Sequence, residues 1–337
     1  MRNRIFAEAC SDPTSAHSTT HTYHNIHLSS KIMDENQNFK SGYVSIIGAP
    51  NVGKSTLLNT ILGQKLAIVT PKPQTTRNQI RGIVTTDAHQ IIFVDTPGLM
   101  NPKYRLQSEM VKTAYGALGD ADVVLFVIDV ARPDPEIEDT ILRRLKRVNA
   151  TVILVLNKVD LVAKPTLLPI FEDYNQRYAF AHIIPISALT SDGVPRLLEE
   201  IETYLPLGPR YFPEDQLSDL PERFFIAETV REKIMLMTQR EIPYASAVIV
   251  EEFERRQTKK SDEIIYIRAI VYAERQTQKQ IIIGKGGKLI KRVGELARID
   301  IEKFLDTRVF LEIYVTVKAN WRKDPRKLKE LGGFANI

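Results

Sequence analysis

The sequence predicts an α/β protein in which a mostly parallel sheet, covered by helices on both faces, precedes a smaller α+β domain. Short apolar strands alternate with amphipathic helices over about 41–205. Glycine- and aspartate-containing loops follow several of these strands, at the edge where such sheets bind ligands. Beyond residue 221 the pattern changes to three strands that flank a helix, a glycine turn and another helix.

Length and composition restrict the class of protein. A chain of 337 residues has room for two domains of ordinary size, and 43% hydrophobic with 26% charged residues is typical of globular proteins. The single cysteine, Cys10, excludes an internal disulfide. No apolar run reaches the ~20 residues of a membrane-spanning helix, and the run at 122–130 is typical of a buried strand. We expect a cytoplasmic protein.

The first 40 residues differ in composition from the rest. They hold four of the six histidines, many Ser and Thr, and no apolar periodicity, so we expect a disordered extension over 1–40. No apolar core of a secretory signal is present. Three interpretations stay open: translation that starts at Met33, an organellar transit peptide suggested by Arg2 and Arg4, and a tail without function.

The segment GAPNVGKS (48–55) fits the phosphate-binding pattern G-x-x-x-x-G-K-S, after a strand and before a helix. Gly48 and Gly53 allow the backbone to wrap a phosphate chain with its N–H groups pointing inward. Lys54 is expected to reach the β- and γ-phosphates, and Ser55 to bind Mg²⁺. The expected nucleotide contacts of this loop are Gly48, Ala49, Pro50, Asn51, Val52, Gly53, Lys54, Ser55 and Thr56.

The segment DTPG (95–98) ends the next apolar strand, which favours a metal role over an ordinary Pro-Gly turn. Asp95 is expected to hold Mg²⁺ through water and Gly98 to meet the γ-phosphate, with Thr96 and Pro97 beside the nucleotide. In the switch segment, 71–80, a threonine must complete the Mg²⁺ ligands when GTP is bound. Thr75 and Thr76 are both candidates, with a slight preference for Thr76.

The segment NKVD (157–160) predicts that the base is guanine. The Asp160 carboxylate can accept the two adjacent N–H donors of guanine, which adenine lacks, so an adenine nucleotide would leave it unpaired. Asn157 is expected to brace the loop and the base, and the Lys158 stem to cover the ring. Ser187 and Ala188 follow the next strand, and the Ala188 N–H is expected to face the guanine O6.

The residue after DTPG is Leu99, where Ras-type enzymes carry a glutamine that orients water. We therefore expect slow unaided hydrolysis. One hypothesis is that Asn51 holds a monovalent cation such as K⁺ in place of an arginine finger; the alternative is that Asn51 only shapes the loop. The expected catalytic residues are Lys54, Thr76, Gly98 and Asn51.

The second half of the chain carries the positive charge. From residue 221 onward there are 24 Lys and Arg against 17 Asp and Glu, which gives a net charge of +7. The first 220 residues have a net charge of −2. GKGG (284–287) lacks the Lys-Ser/Thr ending and lies between two helices, so it is not a second nucleotide loop. A G-x-x-G turn between helices is the clamp of a KH domain, which binds four nucleotides of a single strand.

The basic segment around this turn suits a nucleic-acid backbone. Residues 275–298 contain seven Lys and Arg and one acid, Glu295. The alternative is a helical hairpin with a glycine turn and a solvated charged face. The expected RNA contacts are Arg275, Lys279, Ile281, Ile282, Gly284, Lys285, Gly286, Gly287, Lys288, Lys291, Arg292 and Arg298.

One chain thus contains the GAPNVGKS, DTPG, NKVD and Ser187-Ala188 loops together with the G-x-x-G turn. In this it resembles the Era GTPases, which are TrmE-Era-type bacterial GTPases with a C-terminal type II KH domain. The resemblance covers about 41–333 and includes QTTRNQIRGI, DTPGL, NKVD and the terminal WRKDPRKLKELGG. It implies a P-loop GTPase domain over 41–205, a linker over 206–220, and a KH domain with a basic C-terminal helix over 221–333. The long N-terminal extension departs from the family pattern.

The resemblance also implies a function. A GTP-hydrolysing switch would bind the 3′ end of small-subunit (16S) ribosomal RNA and act in assembly of the 30S subunit, with RNA stimulating hydrolysis. Its ligands would be GTP, GDP and Mg²⁺, and the protein would be a monomer partly associated with the inner face of the cell membrane. Two alternatives are an RNA-binding assembly chaperone with a structural nucleotide site, and a GTPase of RNA modification. Lys54, Ser55 and Asp95 favour the switch.

Overall fold

The structure, a computed structural model, describes residues 38–257 and 263–331. Residues 1–37 of the extension expected over 1–40 lie outside the described residues. The candidate start at Met33 lies outside them as well. The predicted fold class is confirmed: a mostly parallel sheet with helices on both faces precedes a smaller α+β domain. In the described ranges no helix has both the length and the apolar character to cross a membrane.

Six strands form the sheet of the first domain within the described residues, in the order β2-β3-β1-β4-β5-β6. They are β1 Lys40–Ile47, β2 Ile80–Thr85, β3 His89–Asp95, β4 Val123–Asp129, β5 Thr151–Asn157 and β6 His182–Ile186. β2 pairs antiparallel with β3, and the other pairs are parallel. The helices are α1 Lys54–Leu62, α2 Arg105–Gly116, α3 Pro135–Leu145, α4 Leu167–Arg177 and α5 Val194–Thr203.

The continuous apolar strands of this sheet are explained by burial on both faces. Every residue of β4 is buried, with Leu125 in one core cluster and its neighbour Phe126 in the cluster on the opposite face. Such strands need no polar side because helices cover both faces of the sheet. The parallel arrangement brings the carboxyl ends of β1, β4, β5 and β6 to one edge.

The second domain adds a three-stranded sheet in the order β7-β8-β9. Its elements are α6 Glu222–Met237, α7 Ile242–Ala245, β7 Ala247–Gln257, β8 Glu263–Ala273, α8 Gln276–Ile283, α9 Lys288–Leu305, β9 Val309–Val317 and α10 Pro325–Leu331. β7 and β8 are antiparallel, and β8 and β9 are parallel. Residues Ile265, Ile267 and Ala269 alternate along β8 into a core that α6, α8 and α9 complete.

The proline-containing segment between the domains, residues 206–220, follows the edge of the first sheet. The Ile83 N–H of β2 donates to Leu217 O at 2.9 Å, and Gln90 Oε1 accepts the N–H groups of Tyr211 (2.8 Å) and Phe212 (3.0 Å). An edge strand with unpaired backbone groups invites aggregation, and this segment pairs some of them. The interdomain segment therefore also protects the sheet.

The apolar segment 66–70 is irregular, although its composition is typical of a strand. Asn59 satisfies its backbone: Asn59 Oδ1 accepts the N–H groups of Leu66 (3.0 Å) and Ala67 (2.8 Å), and Asn59 Nδ2 donates to Ala67 O (2.7 Å). Leu66, Ala67 and Ile68 are buried. The apolar composition of this segment reflects its burial. Burial does not require that the segment form a strand.

Candidate nucleotide and nucleic-acid sites

The loop after β1 lines a cleft of ≈ 740 Å³ together with the switch segment and the loop after β4. Gly53 has φ 102°, and a Cβ there would lie 2.2 Å from Asn157 Nδ2. At Gly48 a Cβ would lie 2.2 Å from Val127 O. Only glycine fits at either position. The expected nucleotide contacts that line the cleft are Ala49, Pro50, Asn51, Val52, Gly53, Lys54, Ser55, Thr56, Gly98 and Lys158.

Lys54 is the first residue of α1, and its side chain is 5% exposed. Its Nζ donates to the loop's own carbonyl oxygens, Ala49 O at 2.9 Å and Gly48 O at 3.2 Å. Burial lowers the pKa of Lys54 to about 8, although Asp95 opposes this shift. A phosphate beside the ammonium would favour its charged form. The arrangement therefore holds a cation inside the loop that the sequence assigns to phosphates.

Three side-chain oxygen groups meet at the start of α1. Ser55 Oγ donates to Asp95 Oδ2 at 2.6 Å and lies 2.8 Å from Thr76 Oγ1, which is 3.5 Å from the same carboxylate oxygen. Burial raises the pKa of Asp95 to about 6, while Lys54 and the hydrogen bonds from Ser55 and Thr76 oppose the shift. Asp95 Oδ1 is buried and has no hydrogen-bond partner among the described residues. Hard oxygen donors with a free carboxylate oxygen fit Mg²⁺.

The structure separates the two candidate threonines. Thr76 joins Ser55 and Asp95, whereas Thr75 Oγ1 lies 2.8 Å from Thr70 Oγ1 and donates to Lys72 O at 2.8 Å. The Thr75 hydroxyl therefore stabilises the turn of the switch segment. Composition could not separate the two, because both threonines are polar and sit in one loop.

Asn157 connects three loops at the carboxyl edge of the sheet. Its side chain is 1% exposed, Nδ2 donates to Val52 O at 2.7 Å, and Oδ1 accepts the Ala188 N–H at 2.9 Å. Ser187 is also buried, and its Oγ accepts the Thr190 N–H at 3.2 Å. Asp160 is exposed in the following turn, where its carboxylate is accessible to a base.

Lys158 has φ 68°, which turns the chain sharply after β5. Its Nζ donates to Asn51 O at 2.8 Å and to Asp129 Oδ2 at 2.5 Å. Asp129 was missed by the sequence analysis, although it too lies at the carboxyl end of a buried strand. Asp129 Oδ1 also accepts the Ala131 N–H at 3.0 Å, so this residue orders both the loop and the lysine.

The end of DTPG lies against the phosphate loop. A Cβ at Gly98 would fall 2.7 Å from Pro50 Cα, and the Leu99 N–H donates to Gly48 O at 3.0 Å. Leu99 is 2% exposed and belongs to the core, so its side chain cannot orient water in the cleft. Asn51 is exposed with φ 64°, and its Nδ2 donates to Pro71 O at 3.1 Å.

The GKGG turn connects α8 to α9 through one short turn, Lys285–Gly287. Gly284 has φ 73°, and a Cβ there would lie 2.7 Å from Leu289 Cβ. Gly286 (φ 60°) and Gly287 (φ 75°) have open space at the Cβ position, so only their backbone conformation favours glycine. The exposed cations around the turn are Arg275, Lys285, Lys288, Lys291, Arg292 and Arg298, and Lys279 is half-buried.

The two isoleucines before this turn have different environments. Ile281 is 49% exposed and remains available to a ligand. Ile282 is 1% exposed and packs in the core of the second domain, so its side chain cannot contact a base. The expectation for Ile282 is therefore corrected: successive residues of a helix point in different directions, and Ile282 lies on the side that faces the sheet.

The fold and these sites define a class: a P-loop GTPase domain joined to a KH domain. The family model described as 50S ribosome-binding GTPase matches residues 43–158, and the model described as KH domain matches residues 241–322. Residues 1–42 precede both matches.

Curated relatives give the particular family. The chain is 50% identical over 294 residues to GTPase Era of Syntrophus aciditrophicus, covering 87% of this chain and 95% of the relative. It is 47% identical over 299 residues to GTPase Era of Ruminiclostridium cellulolyticum, covering 88% and 99%. The chain belongs to the Era GTPase family, and it is a GTPase.

Two solved structures share the whole fold. One is an Aquifex aeolicus Era variant bound to GDP·AlF4⁻, and the other is Era in complex with MgGDPNP and nucleotides 1506–1542 of 16S ribosomal RNA. Each has 39% sequence identity and a TM-score of 0.83, and the match covers 87% of this chain and 99% of the solved one.

Proposed function

We propose that this protein is a GTP-hydrolysing switch whose KH domain binds the 3′ end of small-subunit ribosomal RNA during assembly of the 30S subunit. The observation that carries the proposal is the combination, in one chain, of the Ser55–Thr76–Asp95 cluster and the exposed, cation-flanked GKGG turn. The relative solved with MgGDPNP and a 16S fragment supports both ligands.

The site residues divide the handling of GTP among them. Lys54 and the backbone of the phosphate loop bind the phosphates, and Ser55, Thr76 and Asp95 would hold Mg²⁺. When bound, Mg²⁺ neutralises phosphate charge. Asp160 reads the guanine edge while Asn157 keeps the loops together. Release of Thr76 after hydrolysis would free the switch segment.

Because no glutamine orients the attacking water, another group must assist hydrolysis. Leu99 lies in the core, and Asn51 stands exposed beside Pro71 of the switch segment. We propose that Asn51 helps to hold a monovalent cation such as K⁺ near the phosphates. GTP turnover is then expected to be faster in K⁺ than in Na⁺, and Asn51→Ala should remove the difference. Equal turnover in both salts, unchanged by the substitution, would contradict this role.

The RNA clamp rests on shape and charge. The glycine turn leaves open space beside Gly286 and Gly287, so a phosphate backbone can approach closely. Exposed cations on α9 can follow the next phosphates, and the exposed Ile281 can contact a base. Affinity should fall with salt, with a log–log slope of roughly −0.7 for each phosphate contacted on a single strand.

The deciding experiment is cross-linking of the native protein to cellular RNA after loading with GTP or GDP. We expect recovery of the 3′ end of 16S ribosomal RNA, with a yield that depends on the nucleotide. The matched control is the double variant Lys285→Glu with Gly286→Asp, which should lose the cross-link and keep its GTP affinity. Recovery of unrelated RNA would contradict the target. A protein that never releases phosphate, even with RNA, would indicate a chaperone with a structural nucleotide site.

Family membership also supports a proposal for the oligomeric state and the cellular location of the protein. We propose that the protein works as a monomer in the cytoplasm, with a fraction at the inner face of the cell membrane. Sedimentation of the purified chain and fractionation of cells test these two statements separately. A stable dimer, or a protein absent from the cytoplasmic fraction, would contradict them.

A further inference from the structure

The chain between α1 and β2 is in contact with the KH domain along most of its length. We call residues 65–77 the interdomain strap. Lys65 Nζ lies 2.6 Å from Glu232 Oε2, and the Val69 N–H donates to Glu232 Oε1 at 3.0 Å. Lys72 Nζ donates to the carbonyl oxygens of Met235, in the last turn of α6, and of Thr238, the residue that follows the helix. The strap therefore follows α6 of the second domain while its other side lines the nucleotide cleft.

Arg231 reaches the strap at the residue before the candidate metal ligand. Its side chain is 2% exposed, and Nη2 donates to Thr75 O at 2.5 Å. Glu228 binds the Nε–Nη2 edge of the guanidinium: Arg231 Nε donates to Glu228 Oε1 at 2.7 Å, and one N–H of Nη2 donates to Glu228 Oε2. Because a guanidinium is planar and Glu228 fixes its orientation, the second N–H of Nη2 points at one place, while Nη1 donates to Met235 Sδ. That place is the peptide group that joins Thr75 to Thr76.

Arg77 makes the corresponding contact on the other side of Thr76. Its side chain is 4% exposed, Nη1 donates to Ser246 O at 2.8 Å, and Nη2 donates to Pro243 O at 3.1 Å. Its guanidinium carbon lies 5.7 Å from the centre of the Trp321 ring. Thr76 is thus held between two buried arginine contacts with the KH domain, and its Oγ1 lies 2.8 Å from Ser55 Oγ.

We propose that Arg231 is a positioning residue of the GTP site, although it belongs to the KH domain. Its hydrogen bond fixes the Thr75–Thr76 peptide, so that the Thr76 hydroxyl stays beside Ser55 and Asp95 and completes the Mg²⁺ ligands. This inference rests on the proposed role of Thr76 as a ligand in the GTP-bound state. Coupling between sites is reciprocal, so Mg²⁺-GTP binding in turn stabilises the contact between the domains.

The test compares two nucleotides that differ in their need for Thr76. In Arg231→Met, the affinity for a non-hydrolysable GTP analogue is expected to fall about tenfold or more, which is the effect of one lost hydrogen bond to a charged group. The Mg²⁺ concentration for half-maximal analogue binding should rise, while GDP affinity stays within about twofold. Arg231→Lys should recover part of the loss. The control is Arg196→Met, an exposed arginine of the first domain, which should change neither affinity.

Unfolding or a general structural role gives a different result. If Arg231→Met weakens GDP and the analogue equally, or changes neither, the positioning role is wrong. Lys72→Met serves as a second variant, because Lys72 is only partly buried and holds the same strap to α6. It should give a smaller loss in the same direction, again confined to the analogue.

Trp321 provides a readout that does not depend on hydrolysis. It is the only tryptophan, it is 0% exposed, and its Nε1–H donates to Ala245 O at 3.1 Å beside Arg77. In the wild-type protein, acrylamide should quench Trp321 fluorescence less with the Mg²⁺-bound analogue than with GDP. Arg231→Met should abolish that difference. Equal quenching in both nucleotide states of the wild type would overturn the coupling. No RNA is present, so this result stands apart from whether the KH domain binds ribosomal RNA.

Discussion

Replacing Asn157 by alanine should weaken binding of both GTP and GDP, because this side chain connects the loops of the nucleotide site. The substitution removes the acceptor of the Ala188 N–H (2.9 Å) and the donor to Val52 O (2.7 Å). Each buried group left unpaired costs about 1–3 kcal/mol. The loops would lose roughly 2–6 kcal/mol, and even ~2 kcal/mol corresponds to about a 30-fold loss of affinity if it falls on the bound state.

Titration with a fluorescent GDP or GTP derivative measures this loss, and thermal unfolding checks that the variant folds. The matched control is Asn149→Ala, which truncates an exposed asparagine far from the cleft. Asn157→Asp keeps the acceptor for Ala188 but places a buried carboxylate oxygen against Val52 O, so it should bind no more tightly than Asn157→Ala. An affinity of Asn157→Ala within twofold of the wild type would refute the reasoning from these two hydrogen bonds.

Three further predictions follow from individual residues. Thr76→Ala should raise the Mg²⁺ concentration needed for binding of a GTP analogue, whereas Thr75→Ala should leave it near the wild-type value; equal effects would contradict the assignment. Gly284→Ala should destabilise the second domain by about 1 kcal/mol or more, seen as a lower midpoint in urea, because the added Cβ lies 2.7 Å from Leu289 and φ is 73°. Burial raises the pKa of Asp300, but Lys233 (2.6 Å) and Lys65 outweigh it and hold that pKa below its usual value. This ion pair therefore contributes stability above about pH 4 and loses it as pH falls through the lowered pKa, so the difference in melting temperature between wild type and Asp300→Asn should vanish in acid.

The first domain could be predicted from the sequence because its signals are local. Apolar strands such as 123–129 are buried on both faces, so their composition alone identifies them. The loops that follow lie at one edge because parallel strands share a direction, and this places Lys54 and Asp95 together without any knowledge of packing.

What could not be predicted depends on contacts between distant parts of the chain. The segment 66–70 has the composition of a strand, but Asn59 satisfies part of its backbone, and Glu232 of the second domain accepts the Val69 N–H. Residues 281 and 282 are both isoleucine. Only the orientation of α8 against the sheet determines that Ile281 is exposed and Ile282 is buried in the core. Arg231 looks like an ordinary helical arginine until the fold brings it to Thr75 O, 156 residues away in sequence.

The measurement that tests the central claim most directly is GTP hydrolysis with and without an RNA of the 16S 3′-end sequence, in the wild type and in Lys285→Glu with Gly286→Asp. The account predicts slow hydrolysis by both proteins alone, stimulation by RNA in the wild type only, and equal GTP affinities. Equal stimulation of both proteins would contradict the role of the GKGG turn. A wild-type rate that the RNA leaves unchanged would contradict the link between the two sites.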